Sequence, residues 1–185
     1  MEREHGVHRA SELRGKRIID QSTGAEVGSV KDLVLDQNGR RAIAFLVDTG
    51  GLFGEQRAIR WQSVVSVGDV VVVQGPITPT PVKEDSELDE LLRLNRRITG
   101  TKIISEVTGE QIGSVSDVTL DDRGQVLGFE TAGGFLGRGS QFLSAEYVRT
   151  VGKDAIIVTI SGFDAGDARE RERGAGEHDT EQFGQ

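Results

Sequence analysis

The chain has no cysteine, so disulfides, thiolate metal sites and cysteine nucleophiles are excluded. Aromatic residues make up only 5% of it. Branched aliphatics must therefore build most of the core, and Val and Ile favour strands. No window approaches the roughly 18 apolar residues that a membrane span requires. The opening MEREHGVHRASELRG lacks the apolar stretch of a secretory signal. The expectation is a cytoplasmic protein with no direct membrane insertion. Positive charge is in the minority: the formal net charge is −8. A surface of that sign repels phosphate backbones, and the longest basic cluster, Arg93 to Arg97 (RLNRR), is too short and interrupted to reverse the effect. Nucleic acid is not an expected partner.

Histidine is equally scarce. His5, His8 and His178 all fall in segments that read as tails, and Gly6 between the first two spoils their helical spacing for a metal. No Gly-x-Ser-x-Gly elbow and no phosphate-binding Walker loop occurs. No carboxylate has a base or a metal ligand beside it, and the pair Asp121-Asp122 reads as solvated turn chemistry. The expectation is no enzyme, no metal and no cofactor.

What the chain does have is a repeat. TGAEVGSVKDLVLD (Thr23 to Asp36) returns as TGEQIGSVSDVTLD (Thr108 to Asp121). With an offset of 85 residues, 12 of the 25 positions from Gly15 to Gly39 are identical. Two residues are then lost in the second copy, and the register resumes at Gly50-Gly51 against Gly133-Gly134. The chain is thus two copies of one unit. Each copy reads as short strands with turn residues between them, Asn38-Gly39 being the strongest hairpin signal. In the long second strand the apolar phase slips between Val30 and Leu33, and between Val115 and Val118. A β-bulge there, with Asp32 or Asp117 bonding the freed backbone, keeps one face buried.

Taken in order, the elements GKRIIDQSTGAEVGSVKDLVLDQNGR, VDTGGLFGE and VSVGDVVVV, with their counterparts in the second copy, resemble the PRC-barrel domain. The resemblance implies an all-β chain of two tandem small antiparallel β-barrels, and the linker between them reads as carrying a short helix. It also implies a non-catalytic interaction scaffold, since the family is not known for catalysis. The expected boundaries are a flexible tail over 1–11, a barrel over 12–75, a linker over 76–96, a second barrel over 97–162 and a disordered charged tail over 163–185. All three prolines open the linker, and Ser86 is the expected cap of a helix whose Leu88, Leu91 and Leu92 share one face.

Surfaces supply the remaining candidates. Aligned back from Gly50 and Gly133, Ala44 and Leu46 face the core. Ile43, Phe45 and Val47 then lie on the outer face, where the second copy has Val126, Gly128 and Glu130. Three large apolar residues there need a cover: the other barrel, the linker helix, or a partner protein, which could be a second copy. Leu52-Phe53 and Phe135-Leu136 at the hairpin tips pose the same choice between plugging a barrel end and recognition. The expected function is a scaffold or adaptor binding a protein partner, or itself. A small-molecule or ion-binding module with its site between the barrels is the alternative.

Overall fold

A computed structural model describes residues 6–51, 54–94, 98–132 and 140–161. The described residues form two seven-stranded sheets, one per copy of the repeat. After β1 (Val7–Arg9) and the single-turn helix α1 (Ala10–Leu13), the first unit runs β2 (Arg17–Asp20), β3 (Glu26–Leu35), β4 (Ala42–Asp48) and β5 (Arg57–Arg60). It continues with β6 (Val64–Val67) and β7 (Val71–Val73). The linker carries β8 (Thr80–Pro81) and helix α2 (Ser86–Leu94). The second unit repeats the plan as β9 (Lys102–Ser105), β10 (Gln111–Asp121), β11 (Val126–Ala132), β12 (Gln141–Ser144), β13 (Val148–Val151) and β14 (Ala155–Val158).

The mostly-β reading holds, but the sheets are not purely antiparallel. β7 lies parallel to β2, and β14 parallel to β9. The cause is a short 3-10 turn, Trp61–Ser63 in one unit and Ala145–Tyr147 in the other. It redirects the chain without folding the next strand back onto the last, so one reversal is missing. The ladders run β6-β7-β2-β3-β4-β5-β8 and β12-β11-β10-β9-β14-β13. Neither returns to its first strand, so strand pairing leaves both sheets open.

The expected bulges are present. Register shifts fall between Val30 and Asp32 and between Val115 and Asp117. The Asp32 carboxylate accepts the Leu33 N–H at 2.9 Å, and Asp117 accepts that of Val118 at 2.8 Å. The hairpin turns are held the same way: Asp36 accepts from Arg40 N–H (2.7 Å) and Asp121 from Gln125 N–H (2.8 Å). Two backbone hydrogen bonds then join the units. The Ala42 N–H donates to Gly124 O (2.7 Å) and the Val126 N–H to Arg40 O (2.9 Å), so each hairpin turn pairs with the other. Gly39 sits against Val151 and Phe129, while Gly124 lies on the indole of Trp61. One hydrophobic core runs continuously through both units, from Ile18 and Phe45 to Phe129 and Ile156.

The N-terminal segment departs from the expected flexible tail. β1 pairs antiparallel with β10 of the second unit, Val7 opposite Asp121 and Arg9 opposite Thr119. Leu13 is fully buried in the shared core. Its hydrophobic burial, worth about 1.5–3 kcal/mol, and the backbone pairing anchor a segment whose polar sequence hides both.

Candidate functional site

The linker helix α2 forms one wall of the site through Asp89, Leu92 and Arg93. Its cap is Asp85, one residue ahead of the expected Ser86: the Asp85 carboxylate accepts the Leu88 N–H at 3.2 Å. Arg60 on β5 grips the same carboxylate through two nitrogens (3.0 Å from Nε, 2.6 and 2.7 Å from the Nη2 nitrogen) and Glu87 through the third (2.7 Å). Burial works against Asp85 ionising. The Arg60 hydrogen bonds and the Leu88 N–H outweigh it and hold the carboxyl below its ordinary value. The bonds to Asp85 raise Arg60 in turn. The helix thereby lays Leu88 and Leu91 over Val34, Ala44, Leu46 and Ala58, forming a second, smaller core.

This corrects the expected faces of β4. Phe45 and Val47 are buried in the main core, Phe45 completely and packed on Trp61 with ring centroids 4.7 Å apart and planes tilted by 37°. Ala44 and Leu46 are the outward residues, under α2. Ile43 is half-buried at the edge of that helix contact. The physical reason is a second bulge. Val34 faces Ala44 and Leu35 faces Ala42, so Ile43 is the extra residue, as Leu127 is between Leu120–Val126 and Thr119–Gly128. Structurally Phe45 matches Phe129, and Leu46 matches Glu130. Ile43, Phe45 and Val47 are therefore not an interaction surface. Leu52, Phe53, Phe135 and Leu136 lie outside the described residues. Trp61 matches Ala145, each opening the 3-10 turn of its unit.

What the fold brings together is a groove of about 790 Å³ between the two units. Its floor is Leu33 and Leu35 of β3, Leu92 of α2, and Ile98 and Val118 of the second unit. Its charged lining is Arg14, Lys31 and Arg93 together with Asp32 and Asp89. Arg14 reaches Asp32 at 3.0 Å and Arg93 pairs with Asp89 one helical turn back. Lys31 has no acidic partner among the described residues. The groove thus has an apolar floor and three cations against two anions above it, the uncompensated charge being that of Lys31, in a chain of net charge −8.

Sequence reading missed these residues because they come from four separate segments. One signal was available: Asp32 recurs as Asp117, yet Lys31 becomes Ser116. At the second bulge, Ser11 of α1 donates its N–H to Asp117 at 3.1 Å and its hydroxyl to the same carboxylate. His8, placed by the sequence in a tail, shares a 2.6 Å hydrogen bond with Asp122 in β1's docking on β10. His5 and His178 lie outside the described residues. Among the described residues no group of three His, Asp or Glu side chains is placed to hold a metal. No described helix is long and apolar enough to cross a membrane.

Asp20 fixes where the linker leaves the first unit. It is buried and accepts the Ser22 hydroxyl (2.7 Å), the Ile77 N–H (2.9 Å), and the N–H groups of Ser22 (2.7 Å) and Thr23 (3.2 Å). The Ser22 hydroxyl and the Ile77 N–H, against the opposing effect of burial, lower its pKa to about 2. In the second unit Ser105 takes the same turn, accepting Val107 N–H (3.1 Å) and Thr108 N–H (3.2 Å).

No curated protein matches the chain closely. The sequence profile of the PRC-barrel domain matches twice, over residues 5–77 and 93–164, and that family is not a catalytic one. Two matches in tandem cover most of the chain, as the internal repeat requires, and by them it belongs to the PRC-barrel domain family.

Proposed function

We propose that the chain is a non-catalytic scaffold that binds a partner protein in the groove between its two units. The observation that carries this is the groove itself, whose apolar floor and charged rim are assembled from both units, the N-terminal segment and the linker helix. No one copy of the repeat supplies it, which gives the duplication a purpose. Protein interfaces favour an apolar centre within a polar rim, and the exposed Lys31 offers an unsatisfied charge for recognition.

The test is a comparison of tagged full-length wild type with Lys31→Glu/Arg93→Glu, both purified from the native host and their companions identified by mass spectrometry. Both side chains are exposed, so the variant keeps its fold, checked by circular dichroism. A companion lost only from the variant supports the reading. Identical companions remove the groove from consideration.

The groove's volume also falls in the range of small-molecule sites, about 300–1,000 Å³. This favours, as a second reading, a regulatory module binding a small anion between the units. A ligand that binds only the folded state raises its melting temperature. A panel of small anions giving a shift in wild type, and none in Lys31→Glu, would select that reading.

A further inference from the structure

The segment that precedes the first unit is docked on the second. Four of its residues bond carboxylates there. The Gly6 N–H and the His8 ring each meet Asp122 at 2.6 Å. Arg9 reaches Glu130 at 3.5 Å, and Ser11 gives Asp117 its N–H (3.1 Å) and its hydroxyl. The apolar contribution lies nearer the first unit. Leu13 is fully buried and Ala10 nearly so, whereas Val7 is 61% exposed, and Arg9, Ser11 and Glu12 are exposed as well. A terminal segment with few buried apolar contacts opens locally at far lower cost than the body it rests on.

What such an opening uncovers is a wall of the groove. Ala10 of α1 and Val118 of β10 both line it, and α1 packs on β10. With the segment in place Val118 is 4% exposed. Leu13 and Gly15 mark where the motion ends. Leu13 lies in the shared core, and the Gly15 N–H donates to Val30 O at 2.8 Å. Arg14, which follows the Leu13 anchor, keeps its pair with Asp32.

We infer that residues 6–12 are a strap at the groove, latched by Asp117, Asp122 and Glu130 of the second unit and hinged at Leu13. Docked, the strap covers Val118; released, it opens that wall of the groove. This goes beyond the scaffold reading, since it concerns access to the groove rather than what the groove holds. A latch made of carboxylates responds to charge. Salt weakens it by screening, and negative charge placed on the strap drives it off.

The test uses the full chain, whose lack of cysteine lets a single one be placed. Val118→Cys puts a thiol in the groove wall, and Ile103→Cys puts one in the core on β9, outside the groove lining. Labelling by a neutral maleimide, relative to the same thiol in the urea-unfolded chain, reads how often each is uncovered. Arg9→Glu/Ser11→Glu sets like charge against Glu130 and Asp117. In that background the Val118→Cys thiol labels at least tenfold faster, and the Ile103→Cys thiol is unchanged. Raising salt from about 50 to 500 mM speeds labelling with the natural strap and slows it with the Glu strap, because it screens attraction in one and repulsion in the other. A nitroxide on Val7→Cys, an exposed site, reads release without a core substitution: it is held with the natural strap and mobile with the Glu strap. Three thiol results overturn the inference. The Val118→Cys thiol labels equally fast with both straps; the Ile103→Cys thiol accelerates along with it, so that only whole-chain unfolding uncovers either; or salt moves both rates the same way. A nitroxide mobile with the natural strap, or held with the Glu strap, overturns it independently. The comparison of companions from the native host does not depend on these outcomes, so the strap and the scaffold reading fail separately.

Discussion

The contact between Gly124 and Trp61 makes the coupling of the two units measurable. Gly124 has φ +76°, and a Cβ built there lies 2.7 Å from two atoms of the indole. Gly124→Ala therefore meets two costs. A side chain in the left-handed region costs about 1–2 kcal/mol. Overpacking a filled site costs about 1–3 kcal/mol more. The indole has little room to retreat, being buried and packed against Phe45. The expected loss is about 2–5 kcal/mol in total. Gly109→Ala is the control, since its φ of +73° is nearly the same and nothing lies within 4 Å of the added carbon. It should lose about 1–2 kcal/mol, from the backbone alone. Urea unfolding gives both values, and the chain's only tryptophan is Trp61 itself, so its fluorescence reports on this contact. In a Trp61→Phe background, followed by circular dichroism, the difference between the two variants should shrink. If Gly124→Ala and Gly109→Ala cost the same within about 0.5 kcal/mol, the turns do not interlock as described, and the units are joined only through the linker and the N-terminal segment.

Acid should unfold the chain partly through Asp20. Its pKa is lowered from 3.8 to about 2, so its contribution is complete above about pH 4 and is lost as pH falls through that window. Asp20→Ser, which copies Ser105, should flatten the fall in urea midpoint between pH 4 and 2; an unchanged slope would assign the acid sensitivity elsewhere. Thr119→Val should leave stability equal or raise it by about 1 kcal/mol, because the Thr119 hydroxyl is buried without a partner and Val34 holds the matching place. Destabilisation on calorimetry would mean that the hydroxyl is bonded. Leu88→Ala should cost about 2–4 kcal/mol, as its side chain is 2% exposed between α2 and β4; a cost under 1 kcal/mol in urea would show that the helix is not docked.

The units, turns and bulges were legible because each is written locally and twice. Asp36 and Asp121, or Gly24 and Gly109, recur since each turn needs the same side-chain acceptor or the same positive φ. The faces of β4 were not legible, and the reason is arithmetic. The second copy is shorter by one residue between Gly39 and Ala42, where Gly124, Gln125 and Val126 stand for four residues. Aligning back from Gly50 places two losses there, and a strand's side chains alternate, so one residue of error inverts every assignment from Ile43 to Val47. The N-terminal strand was hidden for another reason. Its partner lies more than a hundred residues away, and a three-residue strand held by main-chain bonds needs no apolar pattern of its own.

With the register corrected, the copies diverge where their surroundings differ. The first unit's outward residues are Val34, Ala44, Leu46 and Ala58, and the chain continues into a helix that covers them. Their counterparts Thr119, Gly128, Glu130 and Phe142 follow a different solution. The Phe142 ring lies over Gly128, filling the place a side chain would take. Glu130 meets Ser140 at 3.0 Å and Arg9 at 3.5 Å. Residues 85 beyond Leu88 and Leu91 are Arg173 and Gly176, so the sequence after the second unit offers no matching leucines. In place of a leucine helix, the second unit's face is covered by the Phe142 ring and by the contacts of Glu130 with Ser140 and Arg9.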